Sequence, residues 1–209
     1  MRAFIYTGGT VFPENITEHP KPDDLCIAAD AGYLNAKKLG ERVDLLVGDF
    51  DSLGEPPQAP GMEIFRVPVE KDLTDTQICI EAAVGRGADE IILVGGLSGR
   101  LDHTMSCLHI LEDMYLRGLH GYAVDGQNRV HYVRNSSILI ARSPYKYLSL
   151  IAADELVKGV TIEGCKYPLK KAVIKRRIQF AVSNEITGNV ALISCRKGGL
   201  FIIESRDVK

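Results

Sequence analysis

Ile91-Ile92-Leu93-Val94-Gly95-Gly96-Leu97-Ser98-Gly99-Arg100-Leu101-Asp102-His103 sets an unbroken apolar run against a glycine-rich loop, and the loop runs into a helical pattern that continues from 102 to 116. A strand that is apolar on both sides of its pleat has to be covered on both faces, which is the situation of a parallel sheet between helices. Working outward, the runs at 3–6, 25–29, 44–47, 64–67 and 122–124 read as further buried strands, and 32–39 and 74–84 as further helices. Thr74-Asp75-Thr76-Gln77 has the form of a capping box, with Thr74 as cap and Gln77 three residues on, so a helix is expected to start there.

Beyond about residue 133 the rhythm changes. Short runs at 138–141, 147–152, 160–163, 172–174, 191–195 and 200–204 are separated by turn signals such as Asn135-Ser136, Thr187-Gly188-Asn189 and Gly198-Gly199. The expected fold class is therefore α/β followed by all-β: a parallel-sheet α/β domain over 1–132 and a β-sandwich over 133–209.

Composition excludes several classes. With 209 residues, 45% of them hydrophobic, the chain can bury a substantial core, and a formal net charge of −2 gives no general affinity for nucleic acid. The basic run Lys166, Lys170, Lys171, Lys175, Arg176 and Arg177 reads as a solvated strand face. Cys26, Cys79, Cys107, Cys165 and Cys195 are widely spaced and form no C-x-x-C pair, as expected of reduced core thiols. No signal-peptide pattern or membrane-length apolar run is found, so a soluble, cytoplasmic protein without membrane contact is expected.

In open parallel sheets, ligands bind beyond the carboxyl ends of the strands, and this is where the polar residues of the first half collect. The strand ends carry Thr7-Gly8-Gly9-Thr10, then Asp30-Ala31-Gly32, then Gly48-Asp49-Phe50-Asp51-Ser52, then Lys71-Asp72-Leu73-Thr74-Asp75, and last the Gly95–Asp102 segment quoted above. Taken singly, Asp49 and Asp51 could belong to a turn, Asp30 could cap the helix after it, and the glycines could form a plain loop. Together they crowd carboxylates, and a pair ~4 Å apart costs on the order of 4 kcal/mol at an effective dielectric near 20. A cation would relieve that repulsion.

In extended backbone Asp49 and Asp51 would project to one side and Phe50 to the other, so both carboxylates could reach one ion. Oxygen-only ligation suits Mg²⁺, which completes its shell with water and substrate phosphates. Glycines allow backbone to approach an anion, helix starts near Thr74 and Asp102 offer unpaired N–H groups, and Arg100 can fork onto phosphate oxygens. A phosphoryl-transfer site is indicated. No G-x-x-x-x-G-K-[ST] loop or G-x-G-x-x-G fingerprint is present, which argues against P-loop and hydride-transfer enzymes. His103 is placed to line the site, and Ser52 lacks a His base. A metal-dependent hydrolase and a non-catalytic nucleotide sensor remain as alternatives from other classes.

These segments, with Ser183-Asn184-Glu185 far downstream, resemble the thiamine pyrophosphokinase family in order and spacing through nearly the whole chain. The resemblance implies Mg²⁺-dependent transfer of pyrophosphate from ATP to the hydroxyl of thiamine, giving thiamine diphosphate and AMP. By position it implies Asp49, Asp51 and Asp75 as metal ligands. It places Asp30, Asp72, Arg100 and Asp102 around the phosphates and the reacting hydroxyl, with Asp72 and Asp102 as candidate proton acceptors. Gly8, Gly9, Thr74 and Gly96 fall at the nucleotide, Ser183 and Asn184 at thiamine. A homodimer is implied, with the thiamine site between subunits. Two departures stand out: Ala31 occupies a position more often glycine, and the chain has no Trp to stack on thiamine.

Overall fold

The computed structural model describes residues 1–50, 59–70 and 72–207. Strands β1 (Arg2–Tyr6), β2 (Leu25–Ala29), β3 (Leu45–Gly48), β4 (Glu63–Arg66), β5 (Glu90–Val94) and β6 (His120–Val124) lie parallel in the order β4-β3-β2-β1-β5-β6. Their connections contain α1 (Gly32–Leu39), α2 (Asp75–Gly85) and α3 (Leu101–Leu116). The run at 91–94 behaves as expected: Ile91, Ile92, Leu93 and Val94 are all buried, and alternate residues enter different cores on the two faces of the sheet. The run at 64–67 does not, because β4 is the edge strand and is exposed from Glu63 to Arg66. The capping box is formed, with Gln77 N donating to Thr74 Oγ1 at 3.3 Å and Thr74 N to Gln77 Oε1 at 3.1 Å.

The second half is less separate than its rhythm suggests. After a tight turn at Asp125, strand β7 (Asn128–Arg134) runs antiparallel to β6, and the sheet continues through β13 (Gly199–Ser205) to β9 (Tyr147–Ala152). The boundary expected at 132/133 therefore falls inside β7. A second sheet, ordered β11 (Leu169–Lys175), β10 (Leu156–Glu163), β12 (Val190–Ser194) and β8 (Ser137–Ala141), packs on the end of the first. Leu148, Leu150, Leu200 and Ile202 meet Val157, Val160, Ile162, Ala191 and Ile193 in that core. The sandwich is real, but three of its strands also extend the nine-stranded sheet. Phe201 illustrates this, since it packs with Tyr132 under α3 while its neighbours Leu200 and Ile202 face the sandwich. The basic run sits exposed on β11 and the residues flanking it, as a solvated face should.

β7 escaped the periodicity reading because Arg129 and His131 interrupt its apolar run. Both turn to Glu204 on β13, which is only 2% exposed. Arg129 Nε and Nη2 donate to its oxygens at 2.7 and 2.9 Å and Ser143 Oγ at 2.8 Å, while His131 Nε2 lies 3.6 Å away. Burial opposes ionisation of Glu204, but the hydrogen bonds from His131, Arg129 and Ser143 prevail and lower its pKa to about 2. A depressed carboxylate pKa contributes stability that is full above its unfolded value, roughly 4.3, and is lost as pH falls through the folded one. Between those two pH values the protein should lose stability, and Glu204→Gln should flatten that limb of a urea-denaturation series. An unchanged pH slope in the variant would assign the loss to other groups.

Candidate active site

In the order β4-β3-β2-β1-β5-β6 the strand order reverses between β1 and β5, and a crevice opens at such a switch point beyond the carboxyl ends. A cavity of about 600 Å³ lies there. It is lined by Gly8 and Gly9 after β1, Asp30 after β2, Thr74 and Asp75 at the start of α2, Gly96 after β5, and Arg100 and Asp102 at the start of α3. The glycines let these loops interlock. A Cβ on Gly95 would stand 2.8 Å from the Thr7 carbonyl oxygen, and Gly96 N donates to Gly8 O at 2.8 Å.

Asp30 does not cap α1. The residue at the cap is Ala31, in right-handed helical backbone at φ −57°, without a side-chain cap bond. Alanine in place of glycine at 31 is therefore unstrained. Asp30 instead takes φ +45°, and its Oδ1 is buried without a hydrogen-bond partner among the described residues. Gly48 permits this: a Cβ there would come within 3.3 Å of that oxygen. An orphaned carboxylate oxygen held in uncommon backbone marks a functional position.

Asp49 follows at the end of β3, half-buried, and is not among the residues lining the cavity. The backbone is not extended at Phe50, which adopts φ +66°. Phe50 does point away from solvent, being 2% exposed beneath the Arg66 guanidinium. Asp51, Ser52 and Lys71 lie outside the described residues. Among those described, no three His, Cys, Asp or Glu side chains are gathered as a metal site. Asp72 is exposed in the turn before α2 and does not line the cavity.

Arg100 and Asp102 face each other in a forked pair, Nε to Oδ1 at 3.2 Å and Nη2 to Oδ2 at 2.6 Å, both largely exposed. The hydrogen bond from Arg100 holds Asp102 below the usual carboxylate range, which makes it a weaker proton acceptor. His103 lines the cavity as expected, and so does Cys107, whose thiol is pushed up to about 12 by burial and stays protonated. Thr7 and Ser98, named above only as parts of their segments, also line it, as do Ser106 and Ile110, which had not been singled out. Only their spacing after the glycine loop and along α3 carried a signal.

Ser183 and Asn184 lie in the β half and take no part in this cavity. Asn184 is buried and its amide is engaged within the chain: Oδ1 accepts from Tyr167 N and Glu185 N, both at 2.9 Å, and Nδ2 donates to Tyr167 O at 2.8 Å. Its side chain shapes the loop at 165–167, and of its amide only the second Nδ2 hydrogen takes no part in these bonds. Ser183 is exposed and held at φ +58°.

Known proteins agree with this arrangement. Residues 18–122 match the model of the thiamin pyrophosphokinase catalytic domain, and residues 135–200 that of the thiamin pyrophosphokinase vitamin B1 binding domain. The chain is 27% identical over 200 residues to thiamine pyrophosphokinase of Bacillus subtilis, covering 92% of each. A crystal structure of the Bacillus subtilis thiamine pyrophosphokinase superposes with a TM-score of 0.88 at 26% identity over 100% of both chains. One from Geobacillus thermodenitrificans gives 0.85 at 28% identity, over 100% of this chain and 99% of the other. With both parts of the family present in order and together spanning most of its length, the chain belongs to the thiamin pyrophosphokinase family.

Proposed function

We infer that the protein is a thiamine diphosphokinase that transfers the terminal pyrophosphoryl group of ATP to the hydroxyl of thiamine, releasing thiamine diphosphate and AMP. The observation that carries this reading is the joint presence of a catalytic part with a switch-point cavity and a vitamin B1 binding part. An enzyme that only hydrolysed nucleotides would need no acceptor domain.

Oxygen-only donors and the orphaned Asp30 oxygen fit a hard divalent cation, and Mg²⁺ would be held by Asp49, Asp51 and Asp75. When bound, the ion supplies charge neutralisation for the polyphosphate. The chain's own residues do the positioning. Gly8 and Gly9, with the first turns of α2 and α3, offer N–H groups to the phosphates, Gly96 leaves room for their approach, and Arg100 can exchange Asp102 for a phosphate oxygen. The thiamine oxygen attacks the β-phosphorus, the bond to the α,β-bridging oxygen breaks with AMP leaving, and the hydroxyl proton passes to a carboxylate. Asp102, released when Arg100 turns to a phosphate oxygen, and Asp72 in the turn before α2 are the two candidate acceptors. Thiamine would reach this cavity against Ser183 and the loop shaped by Asn184 of a second subunit, in a homodimer.

Five free buried cysteines suit a reducing, cytoplasmic setting, and no helix among the described residues is long and apolar enough to cross a membrane. Incubation with ATP and Mg²⁺ should give AMP only when thiamine is added. Equal release without thiamine would favour the hydrolase reading, and ATP binding without any release the sensor reading. Asp51→Asn should remove most turnover, at least about 100-fold, with an unchanged circular dichroism spectrum. Near-normal turnover would exclude Asp51 as a metal ligand.

A further inference from the structure

The loop after β1 has every carbonyl engaged. Asn35 on α1 is 8% exposed, and its Nδ2 donates to Thr7 O at 2.7 Å and to Gly9 O at 3.0 Å. Gly8 O accepts from Gly96 N at 2.8 Å, and Thr10 O from Ser98 Oγ at 3.3 Å. The amides divide differently. Thr7 N donates to Val94 O at 2.9 Å and Thr10 N to Ser98 Oγ at 2.8 Å, whereas those of Gly8 and Gly9 have no hydrogen bond among the described residues. Both glycines line the cavity.

Across a trans peptide the C=O and N–H point in opposite directions. Drawing Thr7 O toward α1 therefore turns Gly8 N–H away from α1, and drawing Gly8 O toward Gly96 turns Gly9 N–H away from Gly96. Glycine has no Cβ to choose between these orientations and their reverse, so the choice falls to the groups that hold the carbonyls. With the peptides reversed, carbonyl oxygens would face the bound phosphates and repel them. Only a side chain with two N–H donors on one atom can hold both carbonyls from α1, and an amide fits.

We propose that Asn35 is a positioning residue for ATP: by holding the Thr7 carbonyl it aims the Gly8 amide at phosphate oxygens, and by holding the Gly9 carbonyl it fixes the far end of the same loop. This rests on reading the cavity as the polyphosphate site. The same residue therefore governs the affinity for ATP without touching it, and does not govern thiamine.

The test is steady-state kinetics in each substrate for Asn35→Ala and Asn35→Asp, with ATP binding measured by calorimetry in the absence of thiamine. Asn35→Ala should raise KM for ATP about tenfold, the equivalent of ~1.4 kcal/mol, while kcat stays within about threefold and KM for thiamine within about twofold. Asn35→Asp keeps the shape but turns an acceptor on both carbonyls, so its KM for ATP should rise at least as much. A residue that served packing alone would tolerate Asp, or would lower the active fraction and kcat with KM for ATP unchanged. Either outcome in folded protein would overturn the proposal. Should both variants fail to fold, Asn35→Ser, which has a single donor for the two carbonyls, takes their place, and an unchanged KM for ATP there overturns it equally. The calorimetric arm is independent of turnover, so a wild type that binds ATP without making AMP would fail the functional reading and still test Asn35.

Discussion

Asp30→Gly is expected to yield a protein that is more stable and almost inactive. Asp30 stores two costs: backbone at φ +45°, and a buried carboxylate oxygen with no partner among the described residues. Left-handed backbone on a non-glycine residue costs about 1 kcal/mol at the low end, less for Asp than for most residues, and an unsatisfied buried polar atom about 1–3 kcal/mol. Glycine removes both and gives back part of the gain in unfolded-chain entropy. A net gain of about 1 kcal/mol should raise the melting temperature by roughly 2–4 °C for a chain of this size. Turnover should fall at least ~100-fold, because the carboxylate is kept against that cost for what it binds. Thermal denaturation without ligand and the AMP assay read the two effects separately. A fall in stability would mean that the carboxylate has a structural role, and retained turnover would remove Asp30 from the site.

Gly32→Ala should produce the largest loss of stability from the smallest chemical change. A Cβ at Gly32 would stand 2.0 Å from the Tyr6 carbonyl oxygen and 2.8 Å from Thr7 N, so α1 has to move off the end of β1. Both obstacles are backbone within a parallel sheet, which cannot turn aside as a flexible side chain would. The cost should reach the upper end of overpacking, about 3 kcal/mol, and lower the melting temperature by roughly 6–12 °C. ATP affinity should weaken as well, since Asn35 rides on the same helix. Gly85→Ala is the matched control, having no atom within 4 Å of the new Cβ and an ordinary φ. It should be neutral or stabilising by up to about 1 kcal/mol. A Gly32→Ala protein within ~0.5 kcal/mol of wild type would show that the contact between α1 and β1 yields more readily than the backbone geometry implies.

How much could be read in the chain differs between elements for physical reasons. The run 25–29 and the helix 32–39 were recovered to the residue, because strands buried on both faces and amphipathic helices print their period directly. β7 was not recovered, because its Arg129 and His131 are satisfied by Glu204, a partner 75 residues away in the case of Arg129. In the site, the order of carboxylates and glycines along the strand ends was legible, and the fold brings Gly8, Gly9, Asp30, Thr74, Asp75, Gly96, Arg100 and Asp102 into one cavity. The individual states were not legible. Asp30 taken alone read more readily as a helix cap, Arg100 was expected to be free for phosphate, and Asn35 gave no sign at all.

What the sequence determined by itself was the alternation of strand and helix, the change of rhythm near residue 133, and the chemical kind of group at each strand end. These follow from local periodicity, turn chemistry and the rule that ligands meet parallel sheets at their carboxyl ends. Only the tertiary structure decided that β9 and β13 extend the first sheet, that Asp102 is held by Arg100, that Asp30 carries an orphaned oxygen, and that Asn35 holds the loop after β1. Each of these depends on which groups meet across the fold, and hydrogen bonding and backbone strain are set by such meetings rather than by neighbours along the chain.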